Sequence, residues 1–242
     1  MEEADVETFL FDLLSSVSVT ALTVVAGWVT ARWARRLPGV LLGRLMGLGV
    51  VRVYRRQAQA NADLPAALSR ARWVKVLAGR GNEMTRDGFG PVWERAEGPQ
   101  LDFVEVLLPD PVPGAPSWLS RRAAEVHRVD MGFTPALLAS QVCLNAAYIE
   151  EIARRTGKVR LRFYELPNLH RVILTDEVAY LTIYRSDRHG RNSPCLVARR
   201  PGALYDYAAS LFATAWESSR PIEQGTGRAT PPAEPRRAVD AA

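Results

Sequence analysis

Two cysteines, three histidines and four methionines among 242 residues leave few groups for redox or metal chemistry. Cys143 and Cys195 stand alone in apolar surroundings, LASQVCLNAAY and NSPCLVA, with no CxxC and no histidine at metal-ligand spacing. This argues against a zinc ribbon, a redox dithiol and a disulfide scaffold, and predicts two buried free thiols in a reducing compartment. His127 and His189 have no visible partners along the chain. A Walker loop, a nucleophile elbow, an internal repeat and a heptad run are all missing, and no cofactor or metal is implied. Acid is also in short supply: 26 Asp and Glu against 31 Lys and Arg give a net charge of +5.

The charges are unevenly spread. Glu2, Glu3, Asp5 and Glu7 crowd the start, and Leu13 to Ala31, LLSSVSVTALTVVAGWVTA, carries none. As a helix rising about 1.5 Å per residue this run spans roughly 28 Å, close to the hydrocarbon thickness of a bilayer. A signal peptide would begin with positive charge and have a shorter apolar core. The stretch is therefore predicted to be a transmembrane helix, with Asp12 at one headgroup layer and Trp28 and Trp33 at the other. Arg32, Arg35, Arg36, Arg44, Arg52, Arg55 and Arg56 follow before the next acid, Asp63. Positive charge is retained inside, so the expectation is a single-pass inner-membrane protein whose C-terminal domain is cytoplasmic. Residues 13–36 would meet membrane lipids, the basic run an anionic leaflet. Membrane apposition explains the net charge more simply than a nucleic-acid groove.

Residues 1–36 are thus assigned to the tail and anchor, 37–48 to an interrupted juxtamembrane segment, 49–219 to one domain and 220–242 to a disordered tail rich in Pro, Gly and charge. Strands are expected at Val50–Arg56, Trp73–Ala78, Asp102–Leu108, Lys158–Tyr164, His170–Leu174 and Val178–Tyr184, with an edge strand at Ser193–Val197. Helices are expected at Leu64–Ala71 with Asp63 as N-cap, around Phe89, Val92 and Trp93, and at Ser117–Val129, Pro135–Thr156 and Ala203–Ser218. Thr134 and Gly157 bracket the long helix, whose apolar stripe is Leu138, Val142, Ala146, Ile149 and Ile152. The last helix is expected to bury Leu204, Tyr207, Leu211 and Trp216. Strands separated by helices predict an α/β fold with a mixed, largely parallel sheet flanked by helices. The Gly79-Arg80-Gly81 turn after the second strand could expose backbone N–H groups to an anion. Arg160 and Arg162, two apart on one strand, point the same way beside Tyr164 and could clamp a phosphate, or could pair with Glu150 and Glu151.

Three pieces, LAGRG (Leu77 to Gly81), VEVLLPDP (Val104 to Pro111) and RLRFYELPNLHRVILTDEVAYL (Arg160 to Leu181), resemble one half-domain of the phospholipase D superfamily. The resemblance covers about two-thirds of the chain. It is closer to the degenerate phospholipase-D-like domains found in actinobacterial regulatory proteins than to the active members. Active members carry HxKxxxxD on such a hairpin, with the His attacking phosphorus, the Lys holding phosphate oxygens and the Asp orienting the His. Here His170 matches the His, Val172 replaces the Lys and Glu177 stands for the Asp, with Asp176 beside it. The downstream Gly-Ser is missing, although Asn192-Ser193 follows later.

The resemblance implies a phosphate-bearing ligand, with Arg160, Arg162, Tyr164, Arg171, Asn192 and Ser193 as candidate binding residues and His170 and Glu177 as candidate catalytic ones. Attack by His170 would need charge stabilisation that Val172 does not give, so a binding and signalling module is expected rather than an enzyme. The alternative is a membrane-tethered dimeric phosphodiesterase, nuclease or phospholipase, using His170. A homodimer is implied because the superfamily pairs two such motifs; nucleic acid is the lesser partner.

Overall fold

The computed structural model describes residues 43 and 46–222, apart from 86, 113–116, 168–169 and 187. The expected anchor, most of the juxtamembrane segment and the tail from residue 223 lie outside the described residues. Among the described residues no helix is long and apolar enough to cross a membrane.

Among the described residues eight strands form one sheet: β1 (Val50–Tyr54), β2 (Trp73–Leu77), β3 (Phe103–Pro109), β4 (Val159–Tyr164), β5 (His170–Thr175), β6 (Val178–Ile183), β7 (Cys195–Arg199) and β8 (Arg220–Pro221). Their order across the sheet is β1-β7-β6-β5-β2-β3-β4-β8. Only the β2–β3 and β3–β4 pairs are parallel; the other five are antiparallel, so the expectation of a largely parallel sheet is corrected. The helical crossovers end at β4, and the chain returns to the free edge of β2 to build β5, β6 and β7 through short connections, which antiparallel strands allow. β7 lies between β6 and β1, and is not an edge strand.

The α-helices bounded within residues 46–222 are α1 (Gln57–Ala60), α2 (Leu64–Leu68), α3 (Gly90–Glu97), α4 (Trp118–His127), α5 (Pro135–Thr156) and α6 (Ala203–Glu217). α5 forms where expected: the Thr134 side chain accepts from Leu137 N at 3.2 Å, and Gly157 closes the helix in the left-handed region at φ 67°. Its stripe Leu138, Val142, Ala146, Ile149 and Ile152 is buried. α5 packs on β3 and β4 beside α3 and α4, whereas α6 crosses the opposite face.

Three local expectations are revised. Asp63 makes no side-chain cap; its carboxylate engages Arg52 and the Tyr54 hydroxyl on β1 instead. Cys195 is buried but Cys143 is exposed, because it falls one step round α5 from the inward Val142. α6 buries Tyr205, Ala208, Phe212 and Ala215, leaving Tyr207 48% exposed. Ala208 and Ala215 let the helix approach the sheet, and Trp216 moves to its margin.

The chain enters the domain through a close backbone contact. Gly49 has φ +70°, and a Cβ there would lie 2.6 Å from the Arg199 carbonyl oxygen and 2.8 Å from Gly202 Cα. Gly49→Ala is expected to cost about 1–3 kcal/mol from the left-handed backbone alone, and more from the collision. Urea unfolding checks this; an unchanged midpoint contradicts it.

Candidate functional site

Alternation along β5 decides what its residues can reach. His170, Val172 and Leu174 share one face, and Arg171, Ile173 and Thr175 the other. His170 turns to the α6 side, where its half-buried ring meets Tyr207 edge-on at 6.4 Å between centroids. Burial holds its pKa below the ordinary histidine value, which favours the neutral imidazole.

Arg160 and Arg162 lie on that same face of the sheet, but are built into its packing. Glu105, buried on β3, takes Lys75 Nζ at 3.0 Å and Arg160 Nη2 at 2.5 Å. Lys75 also lies 5.4 Å from the Phe212 ring centroid, and the Arg160 and Arg162 guanidiniums lie 5.8 and 5.2 Å from that of Trp216. Arg162 donates to the Ser219 carbonyl. Neither arginine pairs with Glu150 or Glu151; Glu151 binds Arg154. Tyr164 is buried, its hydroxyl donating to the Ala78 carbonyl at 3.2 Å. Glu177 sits in the β5–β6 turn at the other end of the strand from His170, so it cannot orient that imidazole. It lines a separate hollow of about 480 Å³ with Arg52, Asp63 and Arg199.

A cleft of about 340 Å³ opens where β2 and β6 end and β5 begins, against α4 and α5. Crevices at such strand ends are where open α/β sheets hold ligands. Gly79 and Arg80 of the glycine turn line it, with Glu83, Arg122, Tyr184, His189 and Arg191. The turn is fixed by Asn145 of α5, whose Nδ2 donates to the Arg80 carbonyl at 2.8 Å and to Asn82 Oδ1 at 2.7 Å. Gly81, at φ +84°, lets the chain reverse beneath Met84 and Leu108.

Two of the guanidiniums are held on rings. Arg80 lies 5.3 Å from the Phe133 centroid and donates to Gln141 Oε1 at 2.8 Å. Arg122 lies 5.6 Å from that of Tyr184, pairs with Glu125 Oε2 at 3.1 Å and reaches the carbonyls of Arg185 and Arg188 at 2.9 and 3.0 Å. His189 Nε2 meets Asp130 Oδ2 at 3.0 Å and its ring meets Phe133 edge-on at 5.4 Å, so two loops are strapped together at the mouth.

Arg171 is the buried charge behind the cleft, 1% exposed. Its Nε faces Glu83 Oε1 at 2.5 Å, an ion pair rather than a well-aligned hydrogen bond, and its Nη2 has no hydrogen-bond partner among the described residues. In the amide orientation that satisfies both ends, Gln57 accepts from Arg171 Nη1 at 2.9 Å and donates to the Gly190 carbonyl at 3.2 Å. Ser193 is buried nearby and its carbonyl accepts from Gln57 N at 2.8 Å; Asn192 ends the short turn Gly190–Asn192 and does not line the cleft.

The structure therefore brings Arg171, Ser193 and the glycine turn to one end of the sheet and leaves His170, Arg160 and Arg162 on the other face. Glu83, Arg122, Tyr184 and His189 were not legible as site residues. One signal was present: Asn145 is a polar residue within the apolar stripe of α5, and a buried amide needs partners.

Burial, with Glu83 adding to it, pushes the Tyr184 phenol up to about 12. The proton is held more tightly in the folded chain, so the stabilisation is complete below pH 10 and is lost as pH rises towards 12. Tyr180 is pushed up to about 12 in the same way, mainly by burial. Ultraviolet titration should show these two phenols ionising together with alkaline unfolding; ionisation near pH 10 in the folded chain contradicts the buried geometry.

No family model and no curated protein matches the chain. Among solved structures, it is similar to TrmBL2, an archaeal chromatin protein described with a novel mode of DNA binding, at 13% identity and TM-score 0.44, covering 92% of this chain and 72% of that one. It is also similar to NucT from Helicobacter pylori, at 15% identity and TM-score 0.42, covering 71% of this chain and 98% of that one. A third similar structure is Nuc from Salmonella typhimurium, a phospholipase D family member, at 11% identity and TM-score 0.40, covering 70% of this chain and 95% of that one.

Proposed function

We propose that the chain is a membrane-anchored, catalytically degenerate phospholipase-D-like module that holds a phosphate-bearing ligand in the strand-end cleft and serves a regulatory role. The observation that carries this reading is the pair Arg80 and Arg191 at one cleft, the first pre-set on the Phe133 ring. Ordered guanidiniums give charge-assisted, forked hydrogen bonds with little further loss of side-chain freedom.

The hairpin supports binding over cutting. The residue of β5 that turns to the cleft is Arg171, with Glu83 against it, while His170 turns away. Taken one residue earlier in the sequence, the spacing Leu169-x-Arg171-x4-Asp176 keeps a cation and an acid, with leucine in place of the motif's histidine. Anchoring through residues 13–31, with the domain in the cytoplasm, completes the reading; a C-terminal reporter fusion active only in the cytoplasm checks the orientation.

Calorimetric titration of the full chain with inorganic pyrophosphate tests the site. Binding should weaken with the cleft arginines changed and persist with His170→Ala. Loss of binding in His170→Ala alone would move the site to the α6 face.

A second reading keeps the phosphodiesterase and rests on the His189–Asp130 pair at the cleft mouth. A carboxylate-held imidazole is a familiar nucleophile or general base. It predicts diester hydrolysis abolished by His189→Ala and untouched by His170→Ala. We favour the first reading because His189 Nε2 is taken by Asp130 and the ring packs on Phe133 as a loop strap.

A further inference from the structure

We infer that the outer face of α5 is a docking surface for a second copy of this chain, the two helices packing antiparallel about a two-fold axis at Leu144. This goes beyond the phosphate reading and does not depend on it.

From Met131 to Ile149 the sequence holds no charged residue. The inward stripe of α5 accounts for part of that, since it packs on β3 and β4. The outward side has no such need, yet Leu137 is 41% exposed, Leu144 68%, Tyr148 43% and Met131, in the loop before the helix, 81%. At 3.6 residues per turn Leu137, Leu144 and Glu151 fall in line over about 21 Å, with Tyr148 on one flank and Ser140, Cys143 and Ala147 on the other. Each of these side chains is exposed. An apolar stripe that meets charge only at its ends marks a surface for protein contact.

The stripe is complementary to itself. A two-fold axis at Leu144 makes every contact occur twice and sets Leu144 against its own counterpart. On one flank Tyr148 then reaches the second copy's Leu137. On the other Ala147 meets the second copy's Ser140, and these small side chains let the helices close to about 8–10 Å. The ends match as well. Past the stripe α5 carries the Glu151–Arg154 pair, and the loop before it carries Arg128 and Asp130, so antiparallel packing sets both signs against both signs.

Other occupants fit less well. Residues 223–242 contain no Leu, Ile, Met or aromatic residue to cover the stripe. A helix lying on a bilayer keeps free cations beside its apolar face, whereas Arg154 and Arg155 are paired with Glu151 and Glu97. The apolar run Leu13–Ala31 belongs to the membrane in the reading above. This is also not the pairing that the phospholipase D motif implies, which would join two copies of His170 on the α6 side of the sheet.

The test treats the full chain, in detergent with micelles in large excess over protein, with a short bis-maleimide. Cys143 is exposed beside the stripe and Cys195 is buried, so one native thiol per copy reports the contact. A covalent dimer is expected, and none in Cys143→Ser. Leu144→Glu and Leu144→Lys should each lower its yield by about tenfold or more, because like charges meet on the axis. Mixing the two variants in equal amounts should restore it. Leu144 is exposed, so unfolding midpoints should stay within a few degrees of the parent. A dimer that persists in both charged variants forms elsewhere, in the anchor or around His170, and overturns the inference. A loss that mixing does not repair overturns it too, since the leucine then meets something other than itself. A monomer whose Cys143 resists even a single maleimide has the face covered by its own apolar run, which overturns both this inference and the anchor reading while leaving the cleft untouched.

Discussion

Glu83→Ala should destabilise the folded chain by about 3–5 kcal/mol, because it removes the one carboxylate that, among the described residues, pairs with the fully buried Arg171 guanidinium. Arg171 is 1% exposed and cannot turn to water without opening the cleft floor. Its remaining partner, the Gln57 amide, is neutral. For a domain of this size, such a loss lowers the thermal midpoint by roughly 10 °C. The pair is not thereby a net gain over an apolar floor, since both charges had to leave water. Arg171→Met combined with Glu83→Leu should recover most of the loss, as buried ion pairs exchanged for packed apolar groups often do. Thermal or urea unfolding of the two single variants and the double variant checks this. A double variant as unstable as the sum of the singles would mean that Arg171 supports the fold through something other than Glu83.

The second large effect concerns binding. Arg80→Ala with Arg191→Ala should weaken pyrophosphate binding by roughly 100-fold, since each hydrogen bond between charged groups contributes about 1.5–3 kcal/mol. Arg191 is exposed, and the main-chain position of Arg80 is fixed by Asn145, so the fold should survive both changes. Unfolding midpoints within a few degrees of the parent would confirm that only binding has been lost. In contrast, Arg160→Ala with Arg162→Ala should leave binding unchanged while loosening α6, whose Trp216 ring covers both guanidiniums. Equal losses in the two double variants would mean that the two faces of the sheet are not functionally separate.

Much of the fold is legible in the residues because local signals and tertiary needs agree. Thr134, Pro135 and Gly157 mark α5 unambiguously, and the alternation of Val159, Leu161 and Phe163 marks β4. The sheet's sense was less readable. Helices between strands indicate parallel pairing only while crossovers continue, and nothing local says that β5 will add to the free edge of β2. On α6, apolar residues surround the helix so fully that periodicity leaves the inward face open, and the small Ala208 and Ala215 settle it by allowing close approach.

The site was harder still, for a geometric reason. A one-residue shift along a strand moves a side chain to the other face, so His170 lies on the α6 side of β5 and its neighbour Arg171 on the cleft side. The pairs Glu83–Arg171 and Asp130–His189 join residues 88 and 59 positions apart in the sequence, and no local spacing announces either. Only the lone Asn145 inside an apolar stripe and the glycine turn at Gly79 pointed to that end of the sheet.

The central claim is that the strand-end cleft keeps hold of a phosphate without breaking its esters. Incubation of the full chain with bis(p-nitrophenyl) phosphate, alongside calorimetric titration of the same preparation with pyrophosphate, measures both halves at once. Saturable pyrophosphate binding with no release of p-nitrophenolate is the result expected. Release that disappears in His189→Ala or His170→Ala, or calorimetry flat at every pyrophosphate concentration, would contradict it.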